Sequence, residues 1–423
     1  MKQSRRIKEK SYWLIGIATG LLLALYLAYP LLDISPKPQA RQIAQPAVIS
    51  RPVNPELTKL VNAFEKEIQK IIKRTGIPGA AIAIVKDSTF IYTKGFGFRT
   101  ADTHDSINEH SVFRLASVSK PFASFLTGIL VEENQLSWDD RVVKYLPDFQ
   151  LIDSTQTSLL NITHVLSHTT GLPYHTYTNL VEEGIDLVTL LGKLREVKMS
   201  NKVGREYSYQ NVAYSLIGEV ILKSTGKTYE DQMMERVFRP LGMADASMNY
   251  ETLVNDDNVA YPHRRGRRKW FRAKINDTYY NVAPAGGVNA SISDMSKWMV
   301  ALLGCKPKVI KPATMEKLYE PVIDARSRNR HYRKIDRISE SSYGLGWRIL
   351  YYPSDTLVYH GGYVTGYRSE IGFNPHDKIG ICILTNAPGE LADTAVPLFF
   401  NLYKKHREKI LQWEREQNAQ LPI

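Results

Sequence analysis

The chain has 423 residues, 43% of them hydrophobic and 23% charged, with two cysteines, Cys305 and Cys382. This composition excludes a disulfide scaffold and a low-complexity chain, and it leaves room for one large composite domain or two to three smaller ones. The formal net charge of +12 is concentrated: residues 1–10 carry +4, residues 263–274 carry +7 and residues 326–337 carry +5, so the remainder is slightly acidic.

Residues 1–11 form a basic head. Residues 12–32, YWLIGIATGLLLALYLAYPLL, run for 21 residues without a charge, and a helix of about 20 residues crosses a bilayer core. The run is longer than a signal-peptide apolar region, and no Cys is available there for lipidation. Five basic residues precede it. The expectation is an uncleaved, single-pass anchor in the inner (cytoplasmic) membrane, N-terminus in the cytoplasm and body periplasmic or otherwise extracytoplasmic. A cleaved signal peptide is the alternative. Residues 33–55 hold Pro36, Pro38, Pro46, Pro52 and Pro55 and read as an extended linker.

A helix is predicted next, with Asn54 as N-cap, Pro55 in the first turn and Gly76 as C-terminal cap. Leu57, Leu60, Val61, Phe64, Ile68, Ile71 and Ile72 form its apolar stripe. Strands are predicted at 79–86 and 89–98, turning at Asp87-Ser88. The chain is then mostly helical and loop-like to about 340. Strands at 346–352, 367–374 and 378–385 follow, then a charged helix over roughly 390–415. The expected fold is α+β: one antiparallel five-stranded sheet formed by both chain ends, flanked by helices, with a mostly helical inserted region. The main domain is placed at 56–403, with a charged C-terminal helix and tail at 404–423.

Three short stretches carry the chemistry. Ser117-Val118-Ser119-Lys120 opens a predicted helix, where residues three apart share a face and Lys120 stands beside the Ser117 hydroxyl. A helix N-terminus favours an anionic oxygen, and burial lowers a lysine pKa so that the amine can take a proton. Alone, this pattern is common, and it recurs at Ser224-Thr225-Gly226-Lys227, where Gly226 ends the helix and breaks the geometry. Tyr209-Gln210-Asn211 precedes a helical apolar run, and His360-Gly361-Gly362 falls between strand candidates.

SxxK, YxN and [K/H]-x-G in this order resemble the serine β-lactamase and penicillin-binding superfamily, most closely its class C β-lactamase/DD-carboxypeptidase branch. "VFRLASVSKPF", "ITHVLSHTTGLP", "PLGM" and "PAGGVNASISDMSKW" extend the resemblance over about residues 56–403. It implies a β-lactamase/transpeptidase-like fold and hydrolysis of an amide or ester through an acyl-Ser117 intermediate. Lys120 and Tyr209 would share general-base work, and Tyr209 would protonate the leaving group and later activate water. Asn211 would hold the substrate amide and Lys120. The backbone N–H groups of Ser117 and Tyr363 would form the oxyanion hole. No cofactor, metal or nucleic acid is implied. The partners would be a small-molecule or peptide substrate (a β-lactam, a cell-wall peptide or an ester) and the membrane through residues 12–32, with the oligomeric state open.

The third motif departs from the family form. His360 stands where a Lys is usual and Gly361 where a Thr or Ser is usual. The missing hydroxyl removes one hydrogen bond to a substrate carboxylate, a loss of about 1.5–3 kcal/mol. A protonated His360 could carry part of that contact. The departure favours a D-amino-acid peptidase or an esterase over a β-lactamase. A low-activity scaffold or assembly protein of the same fold is the alternative from another class.

Other candidates are weaker. His164 and His168 have helical spacing for a metal pair but no third ligand, and there is no G-x-S-x-G elbow. Asp139 and Asp140 are read as fixing a loop, and Gly286-Gly287 as a tight turn near the site. The basic stretches 263–274 and 326–337 are read as solvated charge or, alternatively, as surfaces for an anionic substrate or lipid.

Overall fold

Strand β1 (Gly79–Lys86) is buried along its whole length. Its side chains alternate between two cores: Ala80, Ile82 and Ile84 face one, while Ala81, Ala83 and Val85 face the other. A strand covered on both faces lies inside a layered fold. Strand β12 (Ile379–Thr385) behaves alike, with Ile379, Ile381 and Ile383 on one side and Cys382 and Leu384 on the other. The two pair antiparallel, Ala80 opposite Thr385 and Lys86 opposite Ile379, which ties the two ends of the domain together. The computed structural model describes residues 54–267, 269–325, 338, 340–352 and 355–419.

The remaining strands are β2 (Thr89–Gly97), β3 (Val112–Arg114), β4 (His263–Arg265), β5 (Trp270–Arg272), β6 (Asn289–Ser291), β7 (Ile323–Asp324), β8 (Glu340–Tyr343), β9 (Arg348–Tyr352), β10 (Asp355–Val364) and β11 (Tyr367–Asn374). The main sheet has the order β2-β1-β12-β11-β10-β9-β8-β7, while β3–β6 and β4–β5 form two small ribbons. One face of the main sheet is covered by helix α1 (Pro55–Thr75) and by a long C-terminal helix, Glu390–Ala419. Phe64 of α1 meets Phe399 of that helix edge to face at 5.6 Å. The other face is covered by α2 (Ser119–Glu132), α3 (Leu216–Thr225) and α4 (Ile292–Leu302). There Phe122 and Trp298 stack at 3.6 Å. The C-terminal helix is called α5 below.

The expected bounds of α1 hold. The Asn54 side chain accepts the Glu56 N–H, Pro55 opens the helix, and Gly76 closes it at φ 58°. Two parts of the expected fold are corrected. Among the described residues the main sheet has eight strands, not five, because β10, β8 and the two-residue β7 were not read as strands. Glycines inside β10 and serines inside β8 weaken the β signal, and pairing with neighbours supplies what propensity does not. The transmembrane helix, and with it membrane contact through 12–32, is not borne out. No helix among the described residues is long and apolar enough to cross a membrane. The longest, α5, has a charged outer face. Residues 12–32 lie outside the described residues, as do the head, the linker up to residue 53 and the basic stretch 326–337. The other basic stretch forms the β4–β5 hairpin, with Arg265 donating to Thr75 O at 2.9 Å at the end of α1.

Phe64 is fully buried between α1, α5 and the sheet. Phe64→Ala should therefore destabilise the domain by about 3–5 kcal/mol, read as a lowered denaturant midpoint. A change within error would mean that the two helices do not share a core with the sheet.

Candidate active site

Ser117 sits on a single 3-10 turn, Ala116–Val118, that runs directly into α2. The turn is held from three sides. Leu115 donates its N–H to Val288 O at 2.9 Å, Ser119 Oγ accepts the Val288 N–H at 2.9 Å, and Ser369 Oγ donates to Leu115 O at 2.5 Å. Ala116 is forced to φ 48°, a conformation that costs a non-glycine residue energy and persists only where surroundings impose it. The result lifts Ser117 out of the core: it is partly exposed while Ala116, Val118, Ser119 and Lys120 are buried.

Lys120 has no exposure at all. Its Nζ donates to Asn211 Oδ1 at 2.8 Å and to Ala285 O at 2.9 Å, and lies 3.4 Å from Ser117 Oγ. Burial, helped by the charge on Arg348, holds the Lys120 ammonium well below the usual lysine range. Burial pushes the Tyr209 phenol above the usual range, against the pull of Ser117 and Arg348. The Lys120 ammonium nitrogen stands 4.5 Å from the Tyr209 ring centre. The structure thus brings Ser117, Lys120, Tyr209 and Asn211 into one cluster.

The loop carrying Tyr209 is clipped to the segment after residue 167. Ser208 donates its N–H to His168 O, Gln210 to His168 Nδ1, and His175 to Tyr209 O, at 2.8, 3.2 and 2.9 Å. His168 is fully buried among the rings of Tyr207, Tyr209, Tyr214 and Tyr343. His164 instead caps a short helix with Asn161. These two histidines hold loops. Asp140 does the same, bonding Lys144, Tyr145 and the Ser137 N–H.

The third motif lies on β10. That strand pairs with β11 as far as Val364 but with β9 only as far as Tyr359, so residues 360–364 have one edge not covered by β9. Gly362 faces the nucleophile turn so closely that a Cβ there would collide with Leu115 O and Ser369 Oγ and stand 3.1 Å from Ser117 N. Only glycine lets the two backbones meet. Tyr363, 61% exposed, follows at the open end. His360 is fully buried, its Nε2 meets the Tyr343 hydroxyl at 3.2 Å, and burial with the charge of Arg348 holds it well below the usual histidine range. Burial thus disfavours the imidazolium form of this ring, which lies against Tyr343.

With this geometry in place, residues 64–399 match the Beta-lactamase family. The chain belongs to that family. It is 26% identical over 335 residues to an unguisins hydrolase of Aspergillus campestris, covering 77% of this chain and 61% of the relative. It is 25% identical over 348 residues to Protein flp of Staphylococcus aureus (79% and 65%) and 24% identical over 387 residues to Beta-lactamase-like protein 4 of Dictyostelium discoideum (84% and 65%). The chain thus spans under two thirds of the length of each of these curated relatives. The fold is similar to that of an octameric penicillin-binding protein homologue from Pyrococcus abyssi, with a TM-score of 0.70 at 24% identity, covering 83% of this chain and 81% of the other.

Two members of this β-lactamase-family site were missed in the sequence. Ala285 contributes only its carbonyl, which leaves no side-chain signature, although the adjoining Gly286-Gly287 was read as a turn near the site. Arg348, on β9, has its guanidinium 5.7 Å from the ring centres of both Tyr209 and Tyr343. A single arginine in a strand carries no pattern that sets it apart.

The Lys120 shift has a thermodynamic sign. An unfolded lysine stays charged up to about pH 10.4, whereas the folded pKa is depressed. The unfolded state therefore binds more protons at neutral pH, and stability rises with pH through that interval. Relative to Lys120→Met, the wild-type protein should gain stability between pH 7 and pH 10 in denaturant titrations. Parallel pH profiles would mean that Lys120 is charged in the fold.

Proposed function

We propose that the protein is a serine acyl hydrolase that cleaves an amide or ester through an acyl-Ser117 intermediate. The observation that carries this reading is the bonding of Lys120. A neutral primary amine has two N–H groups and one lone pair. Asn211 Oδ1 and Ala285 O accept from the amine at 2.8 and 2.9 Å, which leaves the lone pair for the Ser117 hydroxyl at 3.4 Å. Lys120 is then the base that takes the Ser117 proton as Oγ attacks a carbonyl carbon. Tyr209, kept neutral by burial, is the proton donor to the leaving group, with its proton replenished from Lys120. Deacylation reverses the relay, with water in place of the leaving group. Backbone N–H groups of Ser117 and Tyr363 stabilise the oxyanion.

Among substrates, esters and D-amino-acid amides are favoured over β-lactams. A neutral, buried His360 and a glycine at 361 leave the third motif without the cation and hydroxyl that the family usually turns toward a carboxylate. The complete Ser117, Lys120, Tyr209 and Asn211 set argues against a purely structural role, and one relative is itself named as a hydrolase.

Intact-mass time courses with a p-nitrophenyl ester, a D-alanyl amide and benzylpenicillin test this. A mass adduct or turnover with the ester or amide is expected, and neither should occur in Ser117→Ala. Tyr209→Phe should lower kcat by about 10²–10⁴-fold, the usual range for losing a positioned acid or base. Unimpaired turnover by Ser117→Ala would overturn the proposal.

A further inference from the structure

Strand β11 supports the active strand through three consecutive residues that belong to none of the sequence motifs. In register, Tyr363 lies opposite Arg368, Gly362 opposite Ser369 and Gly361 opposite Glu370. Ser369 grips the nucleophile turn at Leu115 O. Arg368 Nη1 pairs with Asp393 Oδ1 of α5 at 2.9 Å, and its Nη2 pairs with Glu370 Oε1. Glu370 is 1% exposed and accepts a second hydrogen bond from the Tyr359 hydroxyl. A carboxylate this deeply buried is tolerated only because both oxygens are partnered, one of them by a charge.

Gly361 is the point where this cluster touches the active strand. A Cβ at 361 would collide with Glu370 Oε2 and stand 3.0 Å from the Tyr359 hydroxyl. A hydroxylated side chain at 361 would therefore enter the carboxylate cluster. The missing Thr or Ser has a local cause in Glu370, nine positions further along the chain.

We propose that Glu370 is a positioning residue for acyl transfer at Ser117: packed against Gly361, its carboxylate fixes the β10 end so that the Tyr363 N–H stands ready for the oxyanion, and it reserves position 361 for glycine. The inference rests on the acyl-Ser117 reading above. It predicts that the two positions are coupled, although Glu370 is sealed from any substrate.

The test is steady-state hydrolysis of p-nitrophenyl butyrate by the full chain, comparing wild type with Glu370→Gln, Glu370→Ala, Gly361→Ser and the Gly361→Ser/Glu370→Ala double variant. Thermal melts of each variant accompany the kinetics. Displacing the oxyanion donor by about 1 Å costs on the order of 10²-fold, so Gly361→Ser should lower kcat to that extent with little change in KM. Glu370→Gln keeps the Tyr359 bond and loses the ion pair, and it should lower kcat at unchanged KM, with a lowered melting temperature because Arg368 loses a buried partner. The double variant should be no slower than Gly361→Ser alone, because the serine then occupies the vacated volume. Losses that multiply in the double variant, or a wild-type kcat in Gly361→Ser or Glu370→Gln, would overturn the proposal. Should Glu370→Ala fail to fold, those two single variants decide it. Ser117→Ala separates the two levels: if it turns over the ester as wild type does, the acyl-Ser117 reading fails; if it is silent while the cycle is multiplicative, only the positioning role fails.

Discussion

A lysine amine sealed from water is the constraint around which this molecule is arranged. Burial disfavours the charged form of Lys120 and requires that its polar atoms be satisfied. Two of its three neighbours come from distant parts of the chain. Ser117 lies one turn away on α2's approach, Asn211 comes from the loop before α3, and Ala285 O from the turn before β6. Bringing them together requires that the loop be clipped to His168 and His175, and that α2 be pressed into its core by Phe122 on Trp298. The helical layer exists, in this sense, to keep one amine dry and pointed at one hydroxyl.

The sheet answers a second requirement, which is to present main-chain donors beside that hydroxyl. Main-chain donors can approach a reacting atom only where side chains are absent, and Gly362 provides that gap against Leu115 O and Ser117 N. The strand then has to stay put without cover from β9 beyond Tyr359. Its support comes from the other edge, where Ser369 holds the nucleophile turn and Arg368 reaches α5. α5 in turn shares a core with α1 through Phe64 and Phe399. The C-terminal helix α5 thus reaches the Ser117 turn through one strand.

Much of this was legible in the sequence where a local pattern does the work. Asn54, Pro55 and Gly76 marked α1 to the residue, and short strand-like runs bounded by turn residues marked β1, β2, β9, β11 and β12. The Ser117–Lys120 spacing was legible because one helical turn fixes it. Order along the chain added Tyr209 and Asn211. The rest was hidden for identifiable reasons. Strand β10 contains two adjacent glycines and is a strand by virtue of its partners. Ala285 acts through a carbonyl that every residue has. His360 looked like a candidate cation because its sequence neighbours say nothing of its burial, which is what removes its charge. Gly361 looked like a lost hydroxyl because the sequence does not show that Glu370 fills the space above it.

The charge at the site follows from the same burial. Arg348 keeps its guanidinium charged at any ordinary pH, and it depresses the basicity of both Lys120 and His360. Burial and Arg348 thus disfavour charge on both, while Arg348 itself stays charged beside the ring of Tyr209. A site built this way gains most when negative charge appears, as it does when a carbonyl oxygen becomes an oxyanion. On the acyl-Ser117 proposal, side chains held toward their neutral forms pose little electrostatic penalty to an uncharged ester or amide. The environment therefore favours the charged intermediate over the neutral ground state, which is the condition under which binding interactions accelerate a reaction and do more than hold its substrate.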